Sequence, residues 1–332
     1  MKIARIKVSL QFKSTQKMKF LGKFIFFTAI LLFLFSCNSN TPKRSETEIN
    51  TVEVACDETF RPIIEQEMRA FHAKYPEAIL DTTFVSETQA INLLLQDSFR
   101  MAITTRPLSE AEKQSILAQH QLSVESHPFA YDAIALIINN SNPDSLISVN
   151  DIRRIVTGQT TEWNQIPGAQ TKGNIELVFD DENSSTVRFV RDSICNGGEL
   201  KGNLKTAKSN PNVIAYVAQV RNAIGIIGVD WIRNFKDTTN LSFDNRVRVM
   251  RVSSSSVPEK SNSYQPVQYY IATGDYPLTR QLFISSTEPY MQALNRNFYH
   301  YLTDTEGQLI ITKSSQLLPV MPVHVKQIDV TD

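Results

Sequence analysis

The sequence predicts an α/β protein with mostly parallel sheets, divided into two domains. Three observations carry this reading. Strand-like and helix-like segments alternate over most of the 332 residues. One run, YDAIALIINN at 131–140, is almost wholly apolar, as suits a strand covered on both faces. The length exceeds what a single core commonly holds, so the chain is expected to cross between domains near residues 130 and 246 and to end in the first.

The elements follow in order. NTVEVAC (50–56) alternates apolar and polar residues and predicts a strand; in residues 59–76, Phe60, Ile63, Ile64, Met68 and Phe71 have the spacing of an amphipathic helix. Residues 78–85 again read as a strand. TQAINLLLQDSF (88–99) places Ile91, Leu94, Leu95 and Phe99 on one helical face. MAITT (101–105) predicts a strand, and Ser109 opens a helix. After the 131–140 strand comes a helix ended by Gly158, a turn-rich stretch around Trp163, and the strand NIELVFD (174–180). Helices TVRFVRDSIC (186–195) and NVIAYVAQVRNA (212–223) lead to the apolar IGIIGVDWI. VRVMRVS (247–253), QYYIAT (268–273) and RQLFISS (280–286) predict strands, and residues 288–304 a long closing helix.

The formal charge is zero, but residues 1–36 hold seven basic residues and no acidic one, leaving 27 basic against 34 acidic beyond them. So acidic a chain is a poor nucleic-acid binder, and any anion site must be built locally. Lys19 and Lys23 precede the apolar run 24–35, which is too short to span a membrane and ends at Ser36-Cys37. Leu34-Phe35-Ser36-Cys37 is similar to a bacterial lipobox, so residues 1–36 read as a signal peptide, with Met18 as an alternative start, and Cys37 as the lipidated first residue of the mature chain. Residues 37–49 are a polar tether. The bland alternative is a plain anchor helix. Cys56 and Cys195 remain, either as two buried free thiols, the simpler reading, or as a disulfide of an exported protein.

Three helix starts share one chemistry. Asp57-Glu58-Thr59-Phe60, Ser86-Glu87-Thr88 and Asp181 to Thr186 each follow a strand and open a helix. Helix N-termini carry free N–H donors and partial positive charge, and Ser and Thr hydroxyls add rotatable donors, so several such ends can hold an oxyanion. Thr104 and Thr105 add hydroxyls from a strand end. Capping alone explains any one of these starts.

Taken together, the motifs identify a resemblance. TFRPII, ITTRPL, ALIINNSNP, DIRRIVTGQTTEWNQI, NAIGIIG and YPLTRQLFI follow the order of motifs in the PstS-like phosphate-binding proteins of ABC importers, over nearly all of residues 50–320. The resemblance implies a periplasmic-binding-protein (Venus-flytrap) fold, with 50–130 and 246–332 as lobe 1 and 131–245 as lobe 2. It implies inorganic phosphate in the interlobe cleft, an ABC permease as partner, and a lipid-anchored place in the cell envelope. Carried over, the ligand residues are Thr59, Phe60, Ser86, Thr104, Thr105, Ser184, Ser185 and Thr186. Two departures stand out. Asp180 occupies the position of the family's usual Arg, and Ser185 that of a central Gly. Arg106, Arg188 or Arg61 would then supply the missing charge. Asp180, Asp181 and Glu182 either favour the helix dipole, the expectation for at least two of them, or accept the proton that phosphate carries and sulfate lacks.

An enzyme is not expected. The five histidines form no metal spacing, and no GxSxG, Walker or GxGxxG motif is present; no cofactor is implied. Competing readings are a PstS-like sensor or interaction module, and a receptor for another small oxyanion.

Overall fold

The computed structural model describes residues 46–321; the expected signal peptide, Met18 and Cys37 lie outside the described residues. A short helix α1 (Glu46–Asn50) stands at the end of the expected tether. β1 (Thr51–Asp57), α2 (Arg61–Lys74), β2 (Ile79–Val85), α3 (Glu87–Leu95), β3 (Met101–Thr104) and α4 (Glu110–His120) then alternate as the sequence predicts. The α2 face formed by Ile63, Ile64, Met68 and Phe71 is buried. Pro62 sits in its first turn, where a missing N–H costs nothing, and Ser109 with Glu112 forms the capping box of α4.

The second stretch comprises β4 (Glu125–Ile138), β5 (Leu146–Ser148), α5 (Val149–Val156), β6 (Glu176–Phe179), α6 (Ser185–Phe189), β7 (Leu204–Thr206), α7 (Asn210–Gln219) and β8 (Ala223–Gly228). β9 (Arg248–Val249), β10 (Arg251–Ser253), α8 (Gln268–Thr273), β11 (Thr279–Ser286), α9 (Leu294–Thr303), α10 (Thr305–Ser314) and β12 (Leu318–Pro319) complete the order. Two predicted elements are corrected. QYYIAT is the helix α8 rather than a strand: Val267 and Ile271, four residues apart, are both buried, Tyr269 is exposed, and Gly274 closes the turn with φ 76°. The closing helix begins at Leu294 rather than 288, because Pro289 and the Glu288 side chain, which accepts from the Tyr290 N–H, hold a turn. Asp304 ends α9, and its side chain accepts from the Thr305 N–H to start α10.

The main sheet runs β2-β1-β3-β11-β4-β8-β6-β7, with β9 and β12 also on β4. Its ends are parallel (β2-β1-β3 and β8-β6-β7) and its centre, around β11 and β4, is antiparallel. β4 starts at Glu125, earlier than predicted, and is long enough to serve two neighbourhoods. Its first half pairs with β11, its second with β8.

Two large apolar cores flank this strand. The first gathers Val54, Phe60, Ile64, Phe71, Phe129 and Phe298; the second gathers Ile134, Trp163, Val178, Val213, Ile226 and Ile232. Val247, Val249, Val252, Ile271, Tyr276 and Leu278 also join the second. Strand pairing explains this, since β9 adds to the second half of β4 and β10 to β5. By packing, the return to the first core falls nearer residue 279 than 246. Cys56 and Cys195 are both free thiols.

Candidate functional site

Parallel strands deliver their carboxyl ends to one side, and in open α/β sheets that is where ligands bind. β1 ends in Asp57 and turns through Glu58–Phe60 into α2; β2 leads to Ser86, β3 to Thr104 and Thr105, and β6 to Asp180 and the start of α6. The two parallel ends therefore present these loops to each other across the centre of the sheet.

At the deepest point, Thr59 from the first core faces α6 from the second, with Thr59 Oγ1 3.5 Å from Ser185 Oγ. Thr59, Ser185 and Thr186 are fully buried. Gly228, at the end of β8, makes the approach possible: a Cβ there would lie 2.4 Å from Thr59 Cγ2. Arg280 of β11 enters the same cluster. Its Nη1 donates to Ser185 Oγ at 2.9 Å and its Nε to Asp132 Oδ2 at 2.9 Å, and its guanidinium lies 5.2 Å from the Phe60 ring centre. Arg280 and Asp132 are both buried. Yet Arg280 Nη2 and Thr186 Oγ1, both buried, find no hydrogen-bond partner, and neither do Asp57 Oδ2, Asp132 Oδ1 and Asp180 Oδ1. Buried polar groups are nearly always satisfied, so unsatisfied groups that stand beside hydroxyls from both cores make this a candidate place for a guest.

The acids respond to burial. It pushes the Asp57 carboxyl up to about 7, with the Glu87 charge adding and Arg280 and Ser185 opposing. Asp132 is likewise raised by burial against the opposing Arg280, and Asp180 by burial against Ser184. Asp57 also caps the next turn, its Oδ1 accepting from the Thr59 N–H at 3.0 Å.

A second cluster joins the start of α3, the end of β3 and α6. Glu87 Oε1 accepts from the Thr105 N–H and hydroxyl, each at 2.7 Å, and both its oxygens accept from Arg188, which also donates to Thr105 Oγ1. Burial alone would raise the Glu87 carboxyl, but Arg188 and Thr105 outweigh it and hold it below its ordinary value. A cavity of about 360 Å³ adjoins Asp57 and Ser86, the residue before Glu87, and is lined also by Arg61, Asp180, Ser184 and Lys208. Another, of about 300 Å³, lies between α2 and α7 over Pro62, Pro211, Trp231 and Phe235; it shares Arg61 but holds none of the convergent hydroxyls.

The expected site residues thus divide. Arg280 meets Ser185, which faces Thr59; Thr186 is the next, buried residue of α6, and Phe60 contributes its ring. Ser86 and Ser184 line the cavity, and Ser184 also caps α6 by accepting from the Val187 N–H. Thr104 turns away to the Arg106 carbonyl, and Thr105 belongs to the Glu87 cluster. Of the expected cations, Arg106 is held by Glu112, Arg61 by Glu58 and Arg188 by Glu87. The cation at the centre is Arg280, which sequence reasoning missed together with Asp57, Asp132 and Glu87. A signal existed. Arg280 alternates with the buried Leu282 and Ile284 on the inward face of β11, and a charge on such a face demands a partner. Among the described residues no group of three or more His, Cys, Asp or Glu side chains is placed to hold a metal ion.

A fold of two parallel sheet ends meeting across an antiparallel centre, with unsatisfied donors between them, defines a solute-binding class. Residues 41–306 match the sequence profile described as a PBP superfamily domain, and the chain belongs to that superfamily. Among similar proteins are the phosphate-binding protein PstS of Borreliella burgdorferi, 21% identical over 87% of this chain and 97% of that one, and PstS of Bacillus subtilis, 22% identical over 87% of each. Similar solved structures include a phosphate ABC transporter substrate-binding protein of Clostridium perfringens with bound phosphate (TM-score 0.66, 21% identity, 82% of this chain and all of that one). A phosphate transport receptor of Vibrio cholerae is another (TM-score 0.60, 19% identity, 81% of this chain and all of that one).

Proposed function

We propose that this protein captures inorganic phosphate between its two cores, as the receptor of an ABC importer, and that it binds its ligand without transforming it. The observation that carries the proposal is that Arg280, bonded to Ser185, and Thr186, the residue after Ser185, each keep a buried partnerless group, Nη2 and Oγ1, while Ser185 faces Thr59. These are donors in search of an acceptor, and an oxyanion in a low-dielectric cleft is the acceptor they fit. The phosphate-binding names of the similar proteins support the choice of anion.

In this reading the cores act as lobes, hinged where β4 and the segment before β11 pass between them, and closure brings Thr59 to α6. The anion meets one buried cation, Arg280, whose charge is already shared with Asp132. An unprotonated dianion would face Asp57, Asp132 and Asp180 at close quarters. A ligand that brings a proton relieves this, and Asp57, poised near neutrality, is the group to share it. Sulfate carries no such proton and is selected against. Lipidation at Cys37 would tether the receptor to the cell envelope beside its permease.

The test is calorimetry on the mature chain with phosphate, arsenate, sulfate and small carboxylates. One phosphate should bind per chain and sulfate should bind far more weakly. No heat with phosphate at millimolar concentration would remove the import reading and leave a sensor or interaction module.

A further inference from the structure

The Glu87 cluster does something other than hold the ligand. Glu87 starts α3 beside the first core and is 4% exposed; Arg188 lies on α6 beside the second. Both oxygens of the carboxylate are bonded, and both donors of Thr105 point to it. A carboxylate from the chain itself thus sits where a loop rich in N–H and O–H groups would otherwise meet an anion. The pair also reaches across the cleft. Arg188 shares its single short helix with Ser185 and Thr186, so whatever holds Arg188 sets the distance and rotation of those hydroxyls relative to Thr59 and Arg280.

We infer that Glu87 and Arg188 form a latch that holds α6 against the first core and so positions the oxyanion donors, with Glu87 taking the place of a ligand oxygen at Thr105. Thr105 then binds no ligand, and the pair acts on the ligand through α6. A doubly bonded Arg–carboxylate pair whose carboxylate is buried and whose arginine is part-buried has the strength and the planar geometry for this task. The affinity part of the inference rests on phosphate capture; the closing part does not.

The test uses the full mature chain with Arg188→Gln, Glu87→Gln and the double substitution, each checked for folding by circular dichroism. Stopped-flow release of phosphate should quicken about tenfold in either single variant, the scale of coupling between contacting groups. The double variant should be no faster than the singles, because each residue acts through the other. Small-angle scattering without phosphate should show a larger radius of gyration in all three variants than in the parent, shrinking when phosphate is added. Should the Gln variants fail to fold, Arg188→Lys keeps the charge but not the paired geometry, and should give an intermediate release rate. Unchanged release and radius, additive effects of the two substitutions, or tighter phosphate binding by Glu87→Gln would overturn the latch. If the parent binds no phosphate, the functional reading falls, while scattering still decides the latch.

Discussion

Arg280 and Arg188 both enter the cleft, both meet a buried carboxylate and both touch a hydroxyl from a predicted ligand loop, yet they are different kinds of residue. Arg188 is committed to the protein: Glu87 and Thr105 accept from its Nε and Nη2, Asp192 approaches its Nη1 at 3.6 Å, and its side chain is partly exposed. Arg280 binds Asp132 and Ser185 and still keeps Nη2 free of partners in a buried setting. The difference teaches that an arginine paired with a buried carboxylate does not by itself mark a binding site. What sets Arg280 apart is surplus donor capacity in a buried setting beside the hydroxyls of Ser185 and Thr59. A pair whose facing donors and acceptors are matched ties elements together.

Substitutions separate the two roles. The largest effect is expected at Arg280. Arg280→Gln strands Asp132 as a buried unpaired charge and should cost about 3–5 kcal/mol of stability, measured by urea unfolding, with phosphate binding lost to calorimetry. Adding Asp132→Asn should restore most of the stability and none of the binding.

Asp57 comes next. Its carboxyl titrates at about 7 in the fold against an ordinary 3.8. The folded state therefore holds the proton more tightly than the unfolded chain, and this group favours folding most below the ordinary value. That contribution declines as pH rises from about 4 to about 7. Asp57→Asn keeps an oxygen to cap Thr59 and should flatten this decline in unfolding curves collected across the range.

Thr186→Val is smaller but more discriminating. The hydroxyl has no partner in the protein, so its loss should leave stability unchanged or raised, while phosphate affinity falls by about 1–3 kcal/mol. Arg106→Gln should do least. Its partly exposed pair with Glu112 contributes about 1 kcal/mol or less, and phosphate affinity should not change.

Legibility in the sequence followed the range of the interactions. Strands and helices with a clear apolar period, such as α2 and β1, were readable because local spacing determines their buried face. QYYIAT misled because its aromatic and β-branched residues favour strands, and only its packing, with Val267 and Ile271 both inward, makes it a helix. The hydroxyls of Thr59, Ser185 and Thr186 were legible as helix starts. Their cation was not, because Arg280 lies 95 residues beyond Ser185, in a strand that crosses to the site only through the tertiary fold. Arg188 and Arg106 were nearer in sequence, but each is committed to an acid whose proximity no spacing rule reveals. Glu87 looked like an ordinary first-turn acid and became the partner of an arginine 101 residues away.

The most direct measurement is a crystal structure of the mature chain grown with phosphate. The anion should lie with oxygens in hydrogen-bond reach of Arg280 Nη2, Thr186 Oγ1 and the Thr59 hydroxyl, and the Glu87–Arg188 pair should be intact beside it. Phosphate seated instead on Arg188 and Thr105, with Glu87 displaced, would contradict the account.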